Sequence, residues 1–142
     1  MPGIVLTTDL SEESQRAFAP VCELAKRLQL KVTLVAVLED IPFEPVGGNV
    51  MGVYPDRTQL HEDWQKKLAE MKEPLGALCS DTVVLDAADV SNAIVQYAQE
   101  HEADYIAMAT HGRSGLKRLI LGSTAELVVR HATVPVLLYP PR

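Results

Sequence analysis

Short apolar runs alternate with longer amphipathic segments along most of the chain. Five of these runs are rich in aliphatic and β-branched side chains and predict strands. They span residues 3–8, 31–38, 81–87, 104–109 and 134–139. Because the runs are largely apolar rather than strictly alternating, they indicate strands that are covered on both faces of a sheet.

Four segments between the strands carry apolar residues at helical spacing. They lie at about 11–28, 57–79, 90–102 and 122–132. Ser11 is suited to cap the first helix, with Glu12 and Glu13 in its acidic first turn. Pro20 falls inside that helix and predicts a kink or a lost hydrogen bond. Residues 39–56 hold three prolines and three glycines without any period, which predicts a long loop.

The alternation of strands and helices is typical of a parallel sheet with right-handed crossovers on both faces. We therefore predict an α/β fold: one doubly wound, Rossmann-like domain over residues 1–142, with a five-stranded parallel sheet and four helices. The pattern alone does not fix the strand order. In the order 3-2-1-4-5, which we expect, a ligand crevice opens between the carboxyl ends of strands one and four.

Composition and charge narrow the range of partners. The chain has 13 Lys and Arg residues against 19 Asp and Glu residues, a net charge of −6, which disfavours nucleic acid. Cys22 and Cys79 lie far apart and are expected to be reduced, mostly buried thiols. Trp64 and the leucines near it are expected to pack in the core. No leader-like start and no long apolar stretch is evident, so we expect a cytoplasmic protein without membrane contact.

Two strand ends carry the candidate chemistry. Thr8 and Asp9 follow the first strand, and a glycine-bearing stretch follows the fourth. Gly122, Ser123 and Thr124 open the last helix, where free N–H groups and the helix dipole favour a phosphate. Residues 111–118 add three basic side chains and no acidic one: Arg113, Lys117 and Arg118. The alternative is a solvated connection with an ordinary helix cap.

Other chemistries lack their motifs. The chain has no G-x-x-x-x-G-K-[ST] and no G-x-G-x-x-G after the first strand. The sequence around Ser114 does not fit the G-x-S-x-G of serine hydrolases. No two of the four histidines have the i, i+4 spacing of a helical metal site. His111 alone lies in the candidate loop, where we expect it to position a ligand.

The chain resembles the universal stress protein family over nearly its full length, and several short stretches carry the similarity. The similarity includes Asp9 and the Ser-Glu-Glu-Ser that follows, Ala-Asp-Tyr-Ile-Ala-Met at 103–108, and Thr-His-Gly-Arg at 110–113. It continues in Gly-Ser-Thr-Ala-Glu-Leu-Val at 122–128 and Val-Pro-Val-Leu at 134–137. The nucleotide-binding branch carries G-x2-G-x9-G-[ST]. Gly112, Gly122 and Ser123 match this motif, and Ala109 replaces its first glycine.

The resemblance implies an adenine-nucleotide site, with ATP as the ligand and Mg²⁺ or Mn²⁺ on its phosphates. By this similarity, Asp9 serves the nucleoside and the backbone of Val37 holds adenine. The glycine loop and the hydroxyls after it hold the phosphates. The predicted nucleotide-binding residues are Thr8, Asp9, Val37, Ala109, His111, Gly112, Arg113, Gly122, Ser123 and Thr124.

The last strand bears on assembly. The stretch from Val134 to Tyr139 is apolar on both faces, and Pro135 favours an edge position. An exposed apolar edge tends to pair with another chain. The resemblance implies pairing of last strands across a two-fold axis, so we predict a homodimer.

Three functions are compatible with the sequence. The first is a stress-response protein that binds ATP and acts as a dimeric regulatory module with an unidentified protein partner. The second is a nucleotide-free scaffold of the same fold, which Ala109 favours. The third is an enzyme, at most a weak ATPase, although no convincing nucleophile or general base accompanies Asp9.

Overall fold

The computed structural model describes residues 3–40, 56–110 and 121–140. Three predicted site residues, His111, Gly112 and Arg113, lie outside these ranges, as does most of the predicted loop at 39–56. Among the described residues, no helix combines the length and the apolar character that crossing a bilayer requires.

Five parallel strands form one sheet in the order β3-β2-β1-β4-β5, which confirms the predicted topology. The strands are β1 Gly3–Thr7, β2 Lys31–Glu39, β3 Cys79–Ala87, β4 Tyr105–Ala109 and β5 Val136–Tyr139. The α-helices are α1 Phe18–Leu28, α2 Arg57–Lys72, α3 Val90–Glu100 and α4 Ser123–His131. Short 3₁₀ helices at Glu13–Ala17 and Glu73–Leu78 precede α1 and follow α2.

The sheet has a separate apolar core on each face, because neighbouring side chains of a strand point to opposite sides. Leu6 and Leu34 pack with residues of α1 and α2, including Leu68. On the other face, residues of β1, β2 and β4 pack with α3 and α4, including Ile94 and Val128. This two-sided burial explains why the strands are apolar almost throughout.

The first predicted helix is two helices in the structure. Ser11 Oγ accepts a hydrogen bond from the Ser14 amide at 3.2 Å, which is the contact expected of a capping serine. The helix that begins there is a 3₁₀ helix over Glu13–Ala17, and Glu12 is its N-cap residue. Pro20 lies in the first turn of α1. An N–H in that turn has no carbonyl partner within α1, so the helix accommodates the proline there.

Other boundaries also differ from the prediction. In the segment predicted as a helix over 57–79, the α-helix ends at Lys72 and a 3₁₀ helix follows from Glu73, within which Gly76 adopts a φ of +59°. Strand β3 therefore begins at Cys79 instead of residue 81. Strand β5 begins at Val136 instead of Val134.

Candidate functional site

A cleft of about 680 Å³ lies at the carboxyl edge of the sheet, where the strand order reverses between β1 and β4. All seven predicted site residues within the described ranges line it. They are Thr8, Asp9, Val37, Ala109, Gly122, Ser123 and Thr124. The two strand ends that the sequence singled out are thus neighbours around one space.

The floor of the cleft exists because β1 ends earlier than its neighbour β2. The last β1–β2 pair is Thr7 with Val35, whereas β2 stays paired with β3 as far as Glu39. The Thr8 amide donates to the carbonyl of Val35 at 3.0 Å, so the backbone of Val35 faces β1. Alternate residues of a strand face the same neighbour, so the backbone N–H and C=O of Val37 point into the space beyond the end of β1.

Ala109 occupies the mirror-image position on β4. Thr110 N–H donates to the carbonyl of Tyr139 at 3.1 Å, so Thr110 faces β5 and Ala109 faces the β1 side. Ala109 is the last residue of its strand, and its φ is not positive. Alanine therefore fits this position without backbone strain, although the family motif has glycine there.

In the loop after β1, side-chain oxygens accept hydrogen bonds from nearby amide and hydroxyl groups. Ser11 donates from both its amide, at 2.9 Å, and its hydroxyl to Asp9 Oδ1. The amide of Leu10, which has a φ of 70°, donates to Thr8 Oγ1 at 3.0 Å. Thr8 Oγ1 and Ser14 Oγ lie 2.7 Å apart and both residues are buried. These bonds hold the carboxylate of Asp9 and the hydroxyl of Thr8 at the cleft.

The opposite side of the cleft is the start of α4. Gly122 is its N-cap, with an extended backbone (φ −60°, ψ 155°) and no side-chain capping bond. The Gly122 amide donates to the carbonyl of Thr110 at 2.8 Å, which ties the end of β4 to the start of the helix. Ser123, Thr124 and Ala125 of the first turn line the cleft, and no side chain in the part of the chain that the structure describes caps their amides. Such amides are donors that suit an anion.

The start of α3 is also at this edge but is capped. Asp89 accepts the Asn92 amide at 3.2 Å and the Ser91 hydroxyl at 2.8 Å. These bonds, that from the Ser91 hydroxyl most of all, lower the pKa of the Asp89 carboxyl below its ordinary value. The first residue of the helix, Val90, lines the cleft with an apolar side chain.

Apolar side chains on both faces of the sheet line the cleft. The sequence did not predict them as cleft residues. On the α3 and α4 face the walls are Val35, Val90, Ile94, Met108 and Ala125. On the other face Leu60 and Trp64 of α2 contribute, together with Leu38 of β2. Trp64 was predicted to be core, and it does pack against that core while also lining the cleft. Its spacing of four from Leu60 places both on one helix face.

A charged cluster borders the α2 end of the cleft. The guanidinium of Arg57 lies 2.6 Å from Asp40 and 2.9 Å from Asp86, and His61 Nε2 lies 3.3 Å from the second oxygen of Asp86. These side chains are partly exposed, so the pairs contribute little to stability but hold the start of α2 near the ends of β2 and β3. Within the described ranges, no three His, Cys, Asp or Glu side chains are grouped to hold a metal ion.

Residues 2–140 match the model of the Universal stress protein family. The chain is 36% identical over 138 residues to Universal stress protein MJ0531 of Methanocaldococcus jannaschii, an alignment that covers 94% of this chain and 79% of the relative.

Solved structures share the fold. The protein MJ0577 of M. jannaschii has a TM-score of 0.76 at 22% identity, covering 99% of this chain and 96% of its own. A universal stress protein from Archaeoglobus fulgidus, solved in complex with dAMP, has a TM-score of 0.64 at 21% identity, with 97% of each chain covered.

Proposed function

This chain belongs to the universal stress protein family, and we propose that it binds an adenine nucleotide, ATP in particular, in the cleft at the carboxyl edge of its sheet. The observation that carries the proposal is the opposed chemistry of the two sides of this cleft. Hydrogen-bond acceptors lie at the end of β1, and uncapped amide donors lie at the start of α4.

This polarity suggests one orientation for the ligand. The phosphates lie against the amides of Ser123, Thr124 and Ala125, where the helix dipole and the N–H groups favour negative charge. The nucleoside lies towards Asp9, because a carboxylate accepts hydrogen bonds from hydroxyl or amine groups but repels a phosphate. The reverse orientation places phosphate beside carboxylate, at a high electrostatic cost.

The base fits the apolar part of the cleft. A planar adenine combines two apolar faces with a polar edge, and the inward-facing backbone of Val37 supplies one donor and one acceptor for such an edge. The aliphatic walls around Val37 suit the faces of the ring. The structure of a universal stress protein from A. fulgidus in complex with dAMP supports an adenine ligand.

The residues present also fit a magnesium or manganese ion carried by the nucleotide. Mg²⁺ usually keeps several waters and is held by phosphates with only one or two protein oxygens. The hydroxyls of Ser123 and Thr124 border the cleft at the phosphate end and are suitable additional ligands. Binding of the triphosphate should therefore be stronger with the ion than without it.

We further propose that the protein is a cytoplasmic homodimer that regulates a protein partner in response to stress. Both cysteines are free, as suits a reducing compartment. The edge strand β5 supports dimerisation, since all four of its residues are only half-buried. The carbonyls of Pro135, just before β5, and of Tyr139 accept bonds from Ile106 and Thr110 on the β4 side. The backbone of Val136 and Leu138 therefore faces outwards, where it can pair with another chain.

The nucleotide proposal is tested by isothermal titration of the full chain with ATP, AMP and GTP, each with and without Mg²⁺. We expect saturable binding of the adenine nucleotides, at one per chain, and weaker binding of GTP. Mass spectrometry of small molecules released from the purified protein provides an independent measurement. If neither measurement detects an adenine nucleotide, the nucleotide-free scaffold replaces this proposal.

The dimer is tested with Leu138→Pro, which deletes an outward-facing N–H of β5 without removing a bond to β4. Leu138→Ala is the matched control for the lost side chain. We expect light scattering to give twice the chain mass of 15.5 kDa for the parent and the alanine variant, and a shift towards monomer for the proline variant. A monomeric parent protein at micromolar concentration contradicts the dimer.

A further inference from the structure

We propose that Ser14 is a positioning residue that makes the β1 side of the cleft a pure hydrogen-bond acceptor and thereby selects a ligand group that donates there. This inference rests on the proposed nucleotide site and names a selectivity of that site. Ser14 lines the cleft, but its side chain is buried, with 5% of the residue exposed. It therefore acts through its neighbour Thr8.

The direction of each hydrogen bond around Ser14 follows from its partners. Ser14 Oγ lies 2.7 Å from the carbonyl oxygen of Ser11, which can only accept, so the single hydroxyl proton of Ser14 is used there. The 2.7 Å contact between Ser14 Oγ and Thr8 Oγ1 then requires Thr8 to donate. Ser14 also donates its amide to Ser11 Oγ at 3.2 Å, which fixes the serine from two sides.

The hydroxyl of Thr8 is thus left with no proton for a ligand. It donates to Ser14, it accepts the Leu10 amide at 3.0 Å, and one acceptor lone pair remains. The ionised carboxylate of Asp9 beside it also only accepts. A ligand atom that meets this surface must therefore carry an N–H or an O–H, and an acceptor placed there loses its hydrogen bond.

Removal of the Ser14 hydroxyl should change this selectivity. In Ser14→Ala the buried Thr8 hydroxyl loses the group to which it donates, and an unsatisfied buried donor is costly. Rotation about the Cβ–Oγ1 bond then turns the proton of Thr8 towards the cleft, where it can meet a ligand acceptor. The surface changes from acceptor to mixed donor and acceptor, although no residue in contact with the ligand has been replaced.

The experiment compares AMP with three analogues that each lack one donor: 2′-deoxy-AMP, 3′-deoxy-AMP and purine riboside 5′-monophosphate, which lacks the 6-amino group. For the parent protein we expect one of these deletions to weaken binding about fivefold, as for the loss of one hydrogen bond. For Ser14→Ala we expect the affinity ratio for that same pair to fall to about one.

A double-mutant cycle assigns the effect to the contact between Ser14 and Thr8. Thr8→Val should remove the discrimination by itself, and Ser14→Ala should add nothing further in the Thr8→Val background. Thr8→Ser keeps the hydroxyl and should keep the discrimination. Because each readout is a ratio of two affinities on one protein, a general loss of stability does not imitate it.

Two results overturn the inference. The first is that Ser14→Ala or Thr8→Val retains the discrimination of the parent protein. The second is that the parent protein binds AMP and all three analogues with equal affinity. If Ser14→Ala does not fold, Thr8→Val alone decides between these outcomes. A parent protein that binds no adenine nucleotide is a different result, because it removes the proposed function itself.

Discussion

The starts of helices α3 and α4 lie on the same face of the sheet and at the same edge, yet their first turns are completed differently. In α3 the carboxylate of Asp89 accepts the Asn92 amide and the Ser91 hydroxyl, so charge and hydrogen bonds are satisfied within the protein. In α4 the corresponding residue is Gly122, which offers no side chain. Both helices contribute to the wall of the cleft.

This difference indicates which helix start is arranged for a ligand. A capped first turn gains stability from its own side chain and has fewer donors left for an anion. An uncapped turn forgoes that stabilisation and leaves its N–H groups to water or to a ligand. The proposed phosphate position is therefore at α4, while α3 contributes the apolar side chains of Val90 and Ile94.

The largest expected effect comes from giving α4 the cap of α3. In Gly122→Asp the carboxylate competes for the same amides and repels phosphate, so we expect ATP affinity to fall about a hundredfold, equivalent to the loss of two charge-assisted hydrogen bonds. The backbone of Gly122 is extended at negative φ, so the new side chain causes no strain there. Titration calorimetry measures the affinity.

Gly122→Asn is the matched control, since it competes for the amides without a charge and should weaken binding less. The thermal midpoint of both variants should equal or slightly exceed that of the parent, because Asp and Asn are good capping residues. Unchanged ATP affinity in a folded Gly122→Asp variant contradicts a phosphate at this helix start.

A smaller loss is expected when a single amide is removed. Proline is well tolerated at the first helical position, and the extended conformation of Gly122 is one that a residue before proline adopts. Ser123→Pro therefore deletes one N–H from the first turn with little effect on the helix. We expect ATP affinity to fall about tenfold or more, as for one hydrogen bond to a charged group.

Because Ser123→Pro also removes a hydroxyl, Ser123→Ala is measured beside it. The difference in affinity between the two variants is the contribution of the amide. Equal affinities for the two variants place the phosphate away from this N–H group.

Ala109 provides a weaker test, on the β4 side of the cleft. Its backbone has no positive φ, so Ala109→Gly, which restores the family motif, should change ATP affinity about threefold or less. The same change should lower stability by about 0.5–1 kcal/mol, because glycine in a strand loses more conformational entropy on folding. Calorimetric titration and urea unfolding measure the two quantities. A much larger gain in affinity shows that the alanine methyl obstructs the ligand.

The fold was largely predictable from the sequence, because burial on two faces leaves a pattern that is local. The continuous apolar run of β2 and the helical spacing in α3 each reflect their own packing. Boundaries were less accurate where a turn depends on one residue, as at Gly76 or Pro20. The strand order depends on contacts between distant segments, so the sequence supported it only as an expectation.

The candidate site was predictable where a polar residue follows a strand end, as with Asp9, or opens a helix, as with Ser123. Leu60 and Trp64 were missed as cleft residues because a partly buried side chain can serve core and cleft together. Val37 is apolar, and its contribution depends on β1 ending earlier than β2, which only the strand register shows. Ser14 had a local signal, since its spacing of three from Ser11 is that of a capping contact.

The smallest expected effect on binding comes from removing the cap of α3. Asp89→Ala should lower the thermal midpoint by roughly 2–4 °C and leave ATP affinity unchanged, because this carboxylate serves the helix and not the ligand.

The pKa of Asp89 is lowered in the folded protein, so its contribution to stability is present above the ordinary value of 3.8 and is lost as the pH falls through the folded value. Asp89→Asn keeps an acceptor without that titration. The gap in thermal midpoint between parent and Asp89→Ala should therefore narrow below about pH 4, whereas the gap between Asp89→Asn and Asp89→Ala should not. A loss of ATP affinity in Asp89→Ala would show that the two helix starts are not as separate in function as their caps indicate.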